Sequence, residues 1–356
     1  MFFRDIAGQD IAVGKLRDAI DNNRLPHALL ITGPEGTCGL ALAWAAAQYI
    51  LCQHKHDGEP CGECPECIQA SKLGHPDLHW VYPLINKGGS GKEASVSEDF
   101  LSDWRTALMQ NPNLNLQQWI RAQGSDENKQ AHIFVSEAGS IIRTLSTKPY
   151  ESDYRILILW LPEKLNEDAA NKLLKIVEEP YEKTFFLMVS NNPEQIIGTI
   201  QSRVQRLQLA PIDFQGNFVQ PGIQQPDEED RLFFFEKFCA MMRLSYSRKL
   251  FEMKKWSEEM ANLGRERQKG YLQYAQNLIR ENYVMNLHQP ELNYMKPDEE
   301  TFSSRFSRFV NARNVEGIMH ELEVAENDVT LNVSSKMIFF DLSLKLIMLL
   351  KAGNQG

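Results

Sequence analysis

Short apolar runs alternate with helical patterns from Leu29 to about Leu209. Nearly continuous apolar runs are typical of strands that are buried on both faces, and their alternation with helices is typical of a parallel sheet with crossover connections. The pattern predicts strands at residues 28–31, 132–135, 155–159 and 184–189. The sequence therefore indicates an α/β domain built on a parallel sheet.

One crossover helix has clear boundaries in the sequence. Asn166 is a suitable N-cap, Glu167 and Asp168 favour the positive end of a helix, and Pro180 ends it. The apolar stripe of this helix consists of Leu173, Leu174 and Val177. We therefore predict an amphipathic helix between the last two predicted strands.

The final part of the chain has a helical pattern throughout. Apolar residues recur at every third or fourth position, and the run 337–347 is apolar enough for a buried helix. The recurring positions include Phe238, Met242, Tyr246, Leu250, Met253, Tyr271, Tyr274 and Leu278. Residues 87–97 and 211–230 have the composition of loops. We therefore predict an α/β domain over residues 1–210, a linker or truncated lid over 211–230, and an all-helical domain over 231–356.

Charge narrows the classes of function. The 356 residues include 38 Lys and Arg against 47 Asp and Glu, which gives a formal net charge of −9. This balance argues against a protein that holds nucleic acid mainly by bulk attraction to phosphate. The first residues lack the apolar stretch of a signal peptide, and no run of about 18 apolar residues could span a bilayer. We therefore expect a soluble cytoplasmic protein with no membrane partner.

A glycine-rich turn follows the first predicted strand. Residues 32–40 read Thr-Gly-Pro-Glu-Gly-Thr-Cys-Gly-Leu and precede a helix-forming run, which is the context of a Walker A loop. A working loop reads G-x-x-x-x-G-K-[ST], so the lysine that meets the β- and γ-phosphates and the hydroxyl that holds magnesium are both absent here. The positions of this candidate vestigial phosphate loop are Gly33, Gly36, Cys38, Gly39 and Leu40. A glycine turn unrelated to nucleotides is the alternative.

The second half of an ATPase site is missing as well. Two acidic residues after the strand at 155–159 would hold magnesium and polarise water, but Trp160 and Leu161 stand there, and Glu163 lies beyond the usual place. The loss of both the Walker A side chains and the acidic residues is better evidence against ATP hydrolysis than either loss alone. A Gly-Lys pair within residues 88–93 has a glutamate in place of the Ser or Thr and no strand–helix context, so we do not interpret it as a phosphate loop.

Four of the six cysteines lie close together, while Cys38 and Cys239 stand apart. The cluster has the spacing C-x8-C-x2-C-x2-C and consists of Cys52, Cys61, Cys64 and Cys67. With no export signal, this clustering indicates a metal site before it indicates disulfides, and four thiolates complete a closed structural zinc site. A redox pair and an iron–sulfur cluster are the alternatives. Nearby histidines that could replace a thiolate are His54, His56, His75 and His79.

Several stretches resemble the bacterial clamp-loader subunits of the AAA+ class. The four-cysteine insertion lies where that family carries its zinc module, and residues 199–204, Thr-Ile-Gln-Ser-Arg-Val, resemble its Ser-Arg-Cys motif with Val204 in place of the cysteine. The other similar segments are residues 3–9, 25–30, 33–34, 165–175, 178–180 and 190–193. The resemblance covers residues 3–209 with specific motifs and the helical remainder more loosely.

The resemblance implies an α/β AAA+ (P-loop NTPase-like) domain with a structural zinc module at residues 52–67, followed by an all-α helical collar. In that family the arginine of the Ser-Arg-Cys motif is presented to the ATP site of a neighbouring subunit, and here this arginine is Arg203. A guanidinium with no local acid partner can stabilise charge on a transferred γ-phosphoryl group. Only about twenty residues, 211–230, lie where the family carries a longer lid.

The implied function is that of a non-hydrolysing subunit in the clamp loader of a replicative DNA polymerase. The implied partners are ATPase subunits of the gamma/tau type and a delta-like clamp-opening subunit, with DNA and the sliding clamp reached mainly through the complex. Zinc is the implied structural cofactor. One alternative is an autonomous ATPase with unorthodox site residues, Glu163 and Lys164. Another is a zinc-dependent nucleic-acid binder outside replication, against which the lack of an interleaved basic–aromatic stripe counts.

Overall fold

The structure, a computed structural model, describes residues 1–85, 95–124, 130–212, 226, 228–287, 293–331 and 333–353. The chain divides into two compact units, one formed by Met1–Ser125 with Ala131–Gly222 and the other by Asp126–Gln130 with Ile223–Gly356. The loops predicted at 87–97 and 211–230 lie mostly outside the described residues, and the Gly-Lys pair within 88–93 lies wholly outside them.

The first unit is an α/β structure. Its described strands are β1 (Ala28–Thr32), β2 (Leu78–Val81), β3 (Arg155–Trp160), β4 (Thr184–Ser190) and β5 (Gln205–Gln208). Its described helices are α1 (Asp10–Asp21), α2 (Gly39–Leu51), α3 (Pro65–Ser71), α4 (Leu101–Gln110), α5 (Leu116–Ala122), α6 (Val135–Ser146), α7 (Glu167–Glu178) and α8 (Gly198–Gln201). Strands and helices alternate along most of this unit, as the sequence pattern predicts.

The five described strands form one parallel sheet in the order β2-β3-β4-β1-β5. Strands β1 and β3 are buried at every position, which explains why their sequences are almost wholly apolar. Thr32 at the end of β1 pairs with Ser190 of β4, and Trp160 at the end of β3 pairs with Val189. The carboxyl ends of these three strands therefore meet at one edge of the sheet.

The predicted crossover helix is present as α7. The side chain of Asn166 accepts a hydrogen bond from the backbone N–H of Ala169 at 2.9 Å, which satisfies one of the free donors at the helix start. Leu173 and Val177 are buried, and Leu174 packs against the same core from a half-buried position.

The prediction of a strand at residues 132–135 is wrong. The backbone of His132 exchanges two hydrogen bonds of 2.9 Å with Leu84, and Ile133 bonds to Lys164, so both residues form isolated bridges away from the sheet. Helix α6 then begins at Val135. An apolar run of four residues can therefore be buried by loop contacts without joining a sheet.

The sequence pattern missed the two strands at the sheet edges. Strand β2 is only four residues long and includes the polar His79. Strand β5 reads Gln-Arg-Leu-Gln, and only Leu207 is buried. An edge strand has a neighbour on one side only and can carry polar side chains, so the apolar signal of a central strand is absent.

The second unit is helical in its described residues. Its helices are α9 (Glu228–Ser247), α10 (Leu250–Ala261), α11 (Arg265–Asn286), α12 (Pro297–Phe306), α13 (Val315–Thr330) and α14 (Ser335–Gly353). They enclose a core that includes Phe238, Tyr271 and Phe339. Arg248, with φ at 55°, separates α9 from α10. Among the described residues, none of the helices in either unit has the length and apolar character needed to cross a membrane.

Candidate functional site

The glycine-rich turn joins β1 to α2 in the manner of a phosphate loop. Gly36 and Cys38 both have positive φ, at 89° and 62°. The backbone of Cys38 is left-handed, a conformation that favours the glycine of a working loop and costs another residue about 1–2 kcal/mol. The hydroxyl of Thr37 donates a 2.7 Å hydrogen bond to the carbonyl of Pro34 and closes the turn. The backbone path of a phosphate loop is therefore present.

The space that this turn encloses is almost filled. The cavity against residues 34–40 has a volume of about 20 Å³, which holds roughly one water molecule. Asn113 and Leu114 contribute to its wall from a later part of the chain, together with Trp160 and Asn191. The turn therefore encloses little space for a phosphate group in this conformation.

Gly39, at the position of the missing lysine, lies against the sheet. A Cβ atom there would be 3.0 Å from Cγ1 of Val189, a closer approach than most real Cβ contacts. At the other end of the turn, a Cβ on Gly33 would be 2.6 Å from Oγ1 of Thr37. These two glycines are required by packing, and Leu40 beside Gly39 is buried in the core.

The residues after β3 are apolar and buried. Trp160 is 2% exposed, and its ring lies 5.3 Å from that of Trp104. Leu161 is also buried, in a left-handed conformation with φ at 56°. Neither residue can ligate a magnesium ion.

The side chain of Glu163 accepts hydrogen bonds from backbone groups. Its Oε1 accepts hydrogen bonds from the backbone N–H groups of Asn191 and Asn192, at 3.1 and 3.2 Å. Burial raises the pKa of this carboxyl, although these hydrogen bonds and the side chain of Ser190 act in the opposite direction. The carboxylate therefore fixes the loop after β4, and this commitment counts against its use as a general base.

The four clustered cysteines come together at the other end of α2. Cys52 follows the last residue of that helix, Cys64 caps α3, and Cys67 lies within α3. The Sγ atoms of these three residues and Cys61 all lie within 4.8 Å of one another. A tetrahedral zinc ion with Zn–S bonds of about 2.3 Å requires sulfur atoms about 3.8 Å apart, so a small inward movement completes the site.

Backbone N–H groups also converge on the sulfur atoms. Cys61 donates to the sulfur of Cys52 at 3.2 Å, Cys64 to that of Cys61 at 3.3 Å, and Cys67 to that of Cys64 at 3.4 Å. Gly62, with φ at 77°, allows the tight turn between the first two cysteines of the run. Burial opposes ionisation of Cys61, but the hydrogen bonds from Cys64 and Glu63 lower its pKa to about 6. These bonds favour the thiolate of Cys61, which is the form that binds metal, whereas burial raises the pKa values of Cys64 and Cys67.

The nearby histidines are not part of the cluster. Among the described residues, the four cysteines are the one group with donor atoms close enough to share an ion. His56 pairs through its backbone with Glu59, and Nδ1 of His75 accepts the backbone N–H of Asp77 at 3.0 Å. The donor set is therefore four sulfurs with no oxygen or nitrogen ligand, which fits a closed structural site and a thiophilic metal.

Arg203 lies just after α8 and has an acid partner. Its Nε donates to Oε2 of Glu178 at 3.0 Å, and Nη1 donates to the carbonyl of Thr199 at 3.0 Å. The side chains of both members of the ion pair are partly exposed. The expectation of a guanidinium with no local acid is therefore wrong, because the chain folds the end of α7 against this arginine.

The chain is similar to known proteins over the segments described above. Residues 8–213 match the family model described as DNA polymerase III, delta subunit. The chain belongs to this family. The match covers the sheet, the glycine-rich turn, the cysteine cluster and Arg203, and it confirms the clamp-loader resemblance.

Individual relatives agree with the family model. The chain is 28% identical to DNA polymerase III subunit delta' of Bacillus subtilis over 55% of this chain and 46% of the relative. It is 26% identical to subunit delta' of Escherichia coli over 55% of this chain and 46% of that protein. The Bacillus subtilis subunit tau is 26% identical over 60% of this chain and 30% of its own length. The chain thus matches less than half the length of these relatives, and the similarity favours the delta prime type.

Among solved structures, a DNA polymerase III gamma subunit-related protein from Thermotoga maritima covers 96% of this chain and 100% of its own, at 11% identity and a TM-score of 0.37. A similarity at this level carries no argument about function.

Sequence reasoning missed two functional contacts. Glu178 is 25 residues from Arg203, and Glu163 is 28 residues from Asn191, so no local spacing links either pair. The segment around Asn113 and Leu114, which lines the cavity beside the glycine-rich turn, gave no signal either.

Proposed function

We propose that this chain is a non-hydrolysing subunit of the clamp loader of a bacterial DNA polymerase III holoenzyme. Its helical unit, over residues 231–356, would form a collar with related subunits, and its α/β unit would present Arg203 to the ATP site of a gamma/tau-like neighbour. A delta-like subunit, the sliding clamp and DNA would be partners within the same complex. The chain would thus be an accessory subunit of a DNA-directed DNA polymerase and would hydrolyse no ATP alone.

The single observation that carries this proposal is that the glycine-rich turn has the shape of a phosphate loop, while protein side chains leave little space beside it. The turn of Gly33–Gly39 keeps its backbone path, yet the cavity beside it has a volume of about 20 Å³. The family belongs to a machine that uses nucleotide. If this chain does not bind phosphate, ATP hydrolysis by other subunits must supply the energy for its function. The zinc module at residues 52–67 fits the same interpretation, because four thiolates leave no open position for catalysis.

Arg203 can serve a neighbour because its present partner is exchangeable. The ion pair with Glu178 is partly exposed, and such pairs contribute only about 0–1 kcal/mol. A phosphate with more than one negative charge competes well for the same guanidinium. We therefore propose that Glu178 holds Arg203 in place until the ATP site of the neighbour takes it over.

The test is reconstitution with the ATPase and clamp-opening subunits, the clamp and primed DNA. Arg203→Ala is expected to slow single-turnover ATP hydrolysis at the neighbouring site, where an arginine finger supplies a factor of about 10³ or more. The isolated chain is expected to hydrolyse nothing with either residue. An unchanged rate in the complex would show that the finger assignment is wrong.

Two further variants test whether the effect is specific to Arg203 and whether it depends on the carboxylate of Glu178. Arg206→Ala is the matched control, since Arg206 is an exposed arginine three positions along that contacts Glu194 at 3.9 Å. It should leave the rate of the complex unchanged. Glu178→Gln removes the competing carboxylate, so the rate should stay the same or rise. A loss as large as that of Arg203→Ala would instead assign Glu178 an essential part in the reaction.

A further inference from the structure

A second cavity lies in the helical unit, away from every motif that the family resemblance explains. It has a volume of about 590 Å³, within the range of about 300–1,000 Å³ that is typical of binding pockets. Its walls come from α9, from α12 with the short turn that follows it, and from the end of α14. The deeper lining is apolar and includes Cys239, Met242, Phe306 and Leu350, all of them buried.

Three arginines line this cavity and are exposed to solvent. They are Arg243, Arg305 and Arg308. Within the part of the chain that the structure describes, other arginines form ion pairs within 4 Å, but these three do not. Their guanidinium groups can therefore bind an anion without first breaking an ion pair.

The acidic residue that lines the cavity does not cancel this charge. Asp298 accepts a hydrogen bond from Nη1 of Arg231 at 2.9 Å, and the same Nη1 lies 3.0 Å from Oε1 of Glu299. Arg231 also pairs with Glu228 at 2.8 Å. Arg231 shares its single positive charge among Glu228, Asp298 and Glu299, so this group carries a formal charge of −2. The three cavity arginines outweigh it by one positive charge, which favours an anionic ligand at the mouth.

The aromatic side chains of the cavity do not form a row of free rings for base stacking. Phe302 stacks on Phe306 at 5.2 Å, and the guanidinium of Arg243 lies over Phe302 at 5.8 Å. Phe309 is covered by Arg308 at 4.9 Å. Among the described aromatic residues of the lining, Tyr246 alone is exposed, and its ring packs at a tilt against Phe309 at 5.1 Å. Single-stranded nucleic acid stacks successive bases on aromatic rings along a basic groove, so one exposed ring suits an inserted side chain better.

We propose that this cavity binds an acidic peptide segment of a partner protein, which inserts one large apolar side chain between Phe302 and Met242 and places its carboxylates on Arg243, Arg305 and Arg308. Arginine forks bind carboxylates in bidentate fashion, and a buried apolar anchor supplies most of the affinity in such contacts. The proposal depends on the helical unit alone and stands whether or not Arg203 serves a neighbouring ATP site.

The test measures binding of labelled peptides to the full chain by fluorescence anisotropy. The probe is a fluorescein-labelled heptapeptide of acidic residues with one central phenylalanine. We expect binding that is weakened about tenfold or more when glutamine replaces the acidic residues, and similarly when alanine replaces the phenylalanine. A second probe, labelled oligothymidylate of about 20 nucleotides, represents nucleic acid.

Variants of the chain assign the binding to the cavity. Arg305→Glu with Arg308→Glu should raise the Kd of the peptide at least about tenfold, and Thr301→Trp should obstruct the mouth and act in the same direction. Lys254→Glu is the control, because Lys254 is an exposed cation of α10 that does not line the cavity. It should change the Kd by less than about twofold.

Three results would overturn the proposal. One is the absence of measurable peptide binding, and another is peptide binding that the cavity variants leave unchanged. The third is oligothymidylate binding that is tighter than peptide binding and is lost with Arg305→Glu and Arg308→Glu, which would assign the cavity to nucleic acid. A circular dichroism melt of each variant shows that the helical unit is still folded.

Discussion

The two ends of helix α2 differ in their candidate chemistry. The turn before its first residue, Gly39, is glycine-rich like a phosphate loop but has neither the lysine nor the hydroxyl that would bind phosphate and magnesium. At its other end, Cys52 joins three further cysteines whose sulfurs lie within 4.8 Å of one another. The ends are thirteen residues apart, or about 20 Å along the helix.

The difference shows what each site needs in order to persist. The turn has a structural role that is independent of nucleotide, since Gly33 and Gly39 allow close packing against Leu209 and Val189. This packing keeps the turn in place without a ligand. The buried cluster at the other end of the helix consists of the cysteines themselves, Cys52, Cys64 and Cys67 with Cys61 packed against them. We therefore expect the order of the cysteine segment to depend on a bound metal.

The largest expected effect is the loss of the metal. A reduced sample should contain about one zinc per chain, and Cys67→Ala should release it, because the three remaining thiolates no longer close the site. Structural zinc contributes about 10–16 kcal/mol of binding free energy in small peptides, so residues 52–67 should lose their order. Metal analysis and limited proteolysis measure the two effects.

The matched control for that variant is Cys239→Ala. Cys239 is also buried but belongs to the helical unit, so its removal should leave the zinc content unchanged. A metal-free sample of the reduced wild-type chain would contradict the four-thiolate site. Iron in place of zinc, with visible absorption, would keep the donor set and change the cofactor.

The next largest effect concerns Trp160, which lines the cavity beside the turn before helix α2. Trp160→Ala removes a side chain that is 2% exposed and packs on Trp104, and substitutions of this kind cost about 3–5 kcal/mol. Urea denaturation measures the loss. Trp160→Phe keeps most of the apolar volume and should be much milder. A small effect of the alanine variant would mean that the site collapses easily and is not a packed part of the core.

The sequence predicts the cysteine cluster and helix α7 better than it predicts the surroundings of the turn. Cysteine spacing is local, so the pattern at residues 52–67 is enough to predict the cluster, and α7 follows from its own cap and stripe. The cavity beside the turn depends on Leu114, about 80 residues further along the chain, and no local period reports such a contact. The strand predicted at 132–135 is wrong for the same reason, because the backbone partners of His132 are set by the tertiary fold.

A smaller effect separates the structural role of Glu163 from a catalytic one. Glu163→Ala removes the acceptor of the backbone N–H of Asn191, which costs about 1–3 kcal/mol, whereas the N–H of Asn192 keeps Oγ of Ser190 at 3.2 Å. Glu163→Gln keeps a carbonyl oxygen for both and should be close to the wild type. ATP turnover should be absent in all three proteins. A turnover that the glutamine variant abolishes would revive the autonomous ATPase.

The free energy of unfolding of the wild type and of Glu163→Gln should depend differently on pH. Burial raises the pKa of Glu163, so the folded state binds its proton more tightly than the unfolded state does. Stability from this group is therefore full below its unfolded value of about 4.3 and is lost as the pH rises toward the folded pKa. Glutamine does not titrate. The difference in unfolding free energy between the variant and the wild type should thus move in favour of glutamine as the pH rises, and a change in the opposite direction would contradict a raised pKa of Glu163.

The smallest expected effect is that of ATP itself on the thermal stability of the isolated chain. A ligand stabilises the folded state by about 2.7 kcal/mol when its concentration is a hundred times its Kd, so millimolar Mg-ATP reports even a weak site. We expect no shift in Tm for the wild type, because the cavity beside the turn has a volume of about 20 Å³. We also expect none for Trp160→Ala, in which space is regained but the lysine and the hydroxyl are still missing. A shift in that variant alone would mean that the indole excludes the nucleotide and that the turn still binds phosphate through its backbone N–H groups.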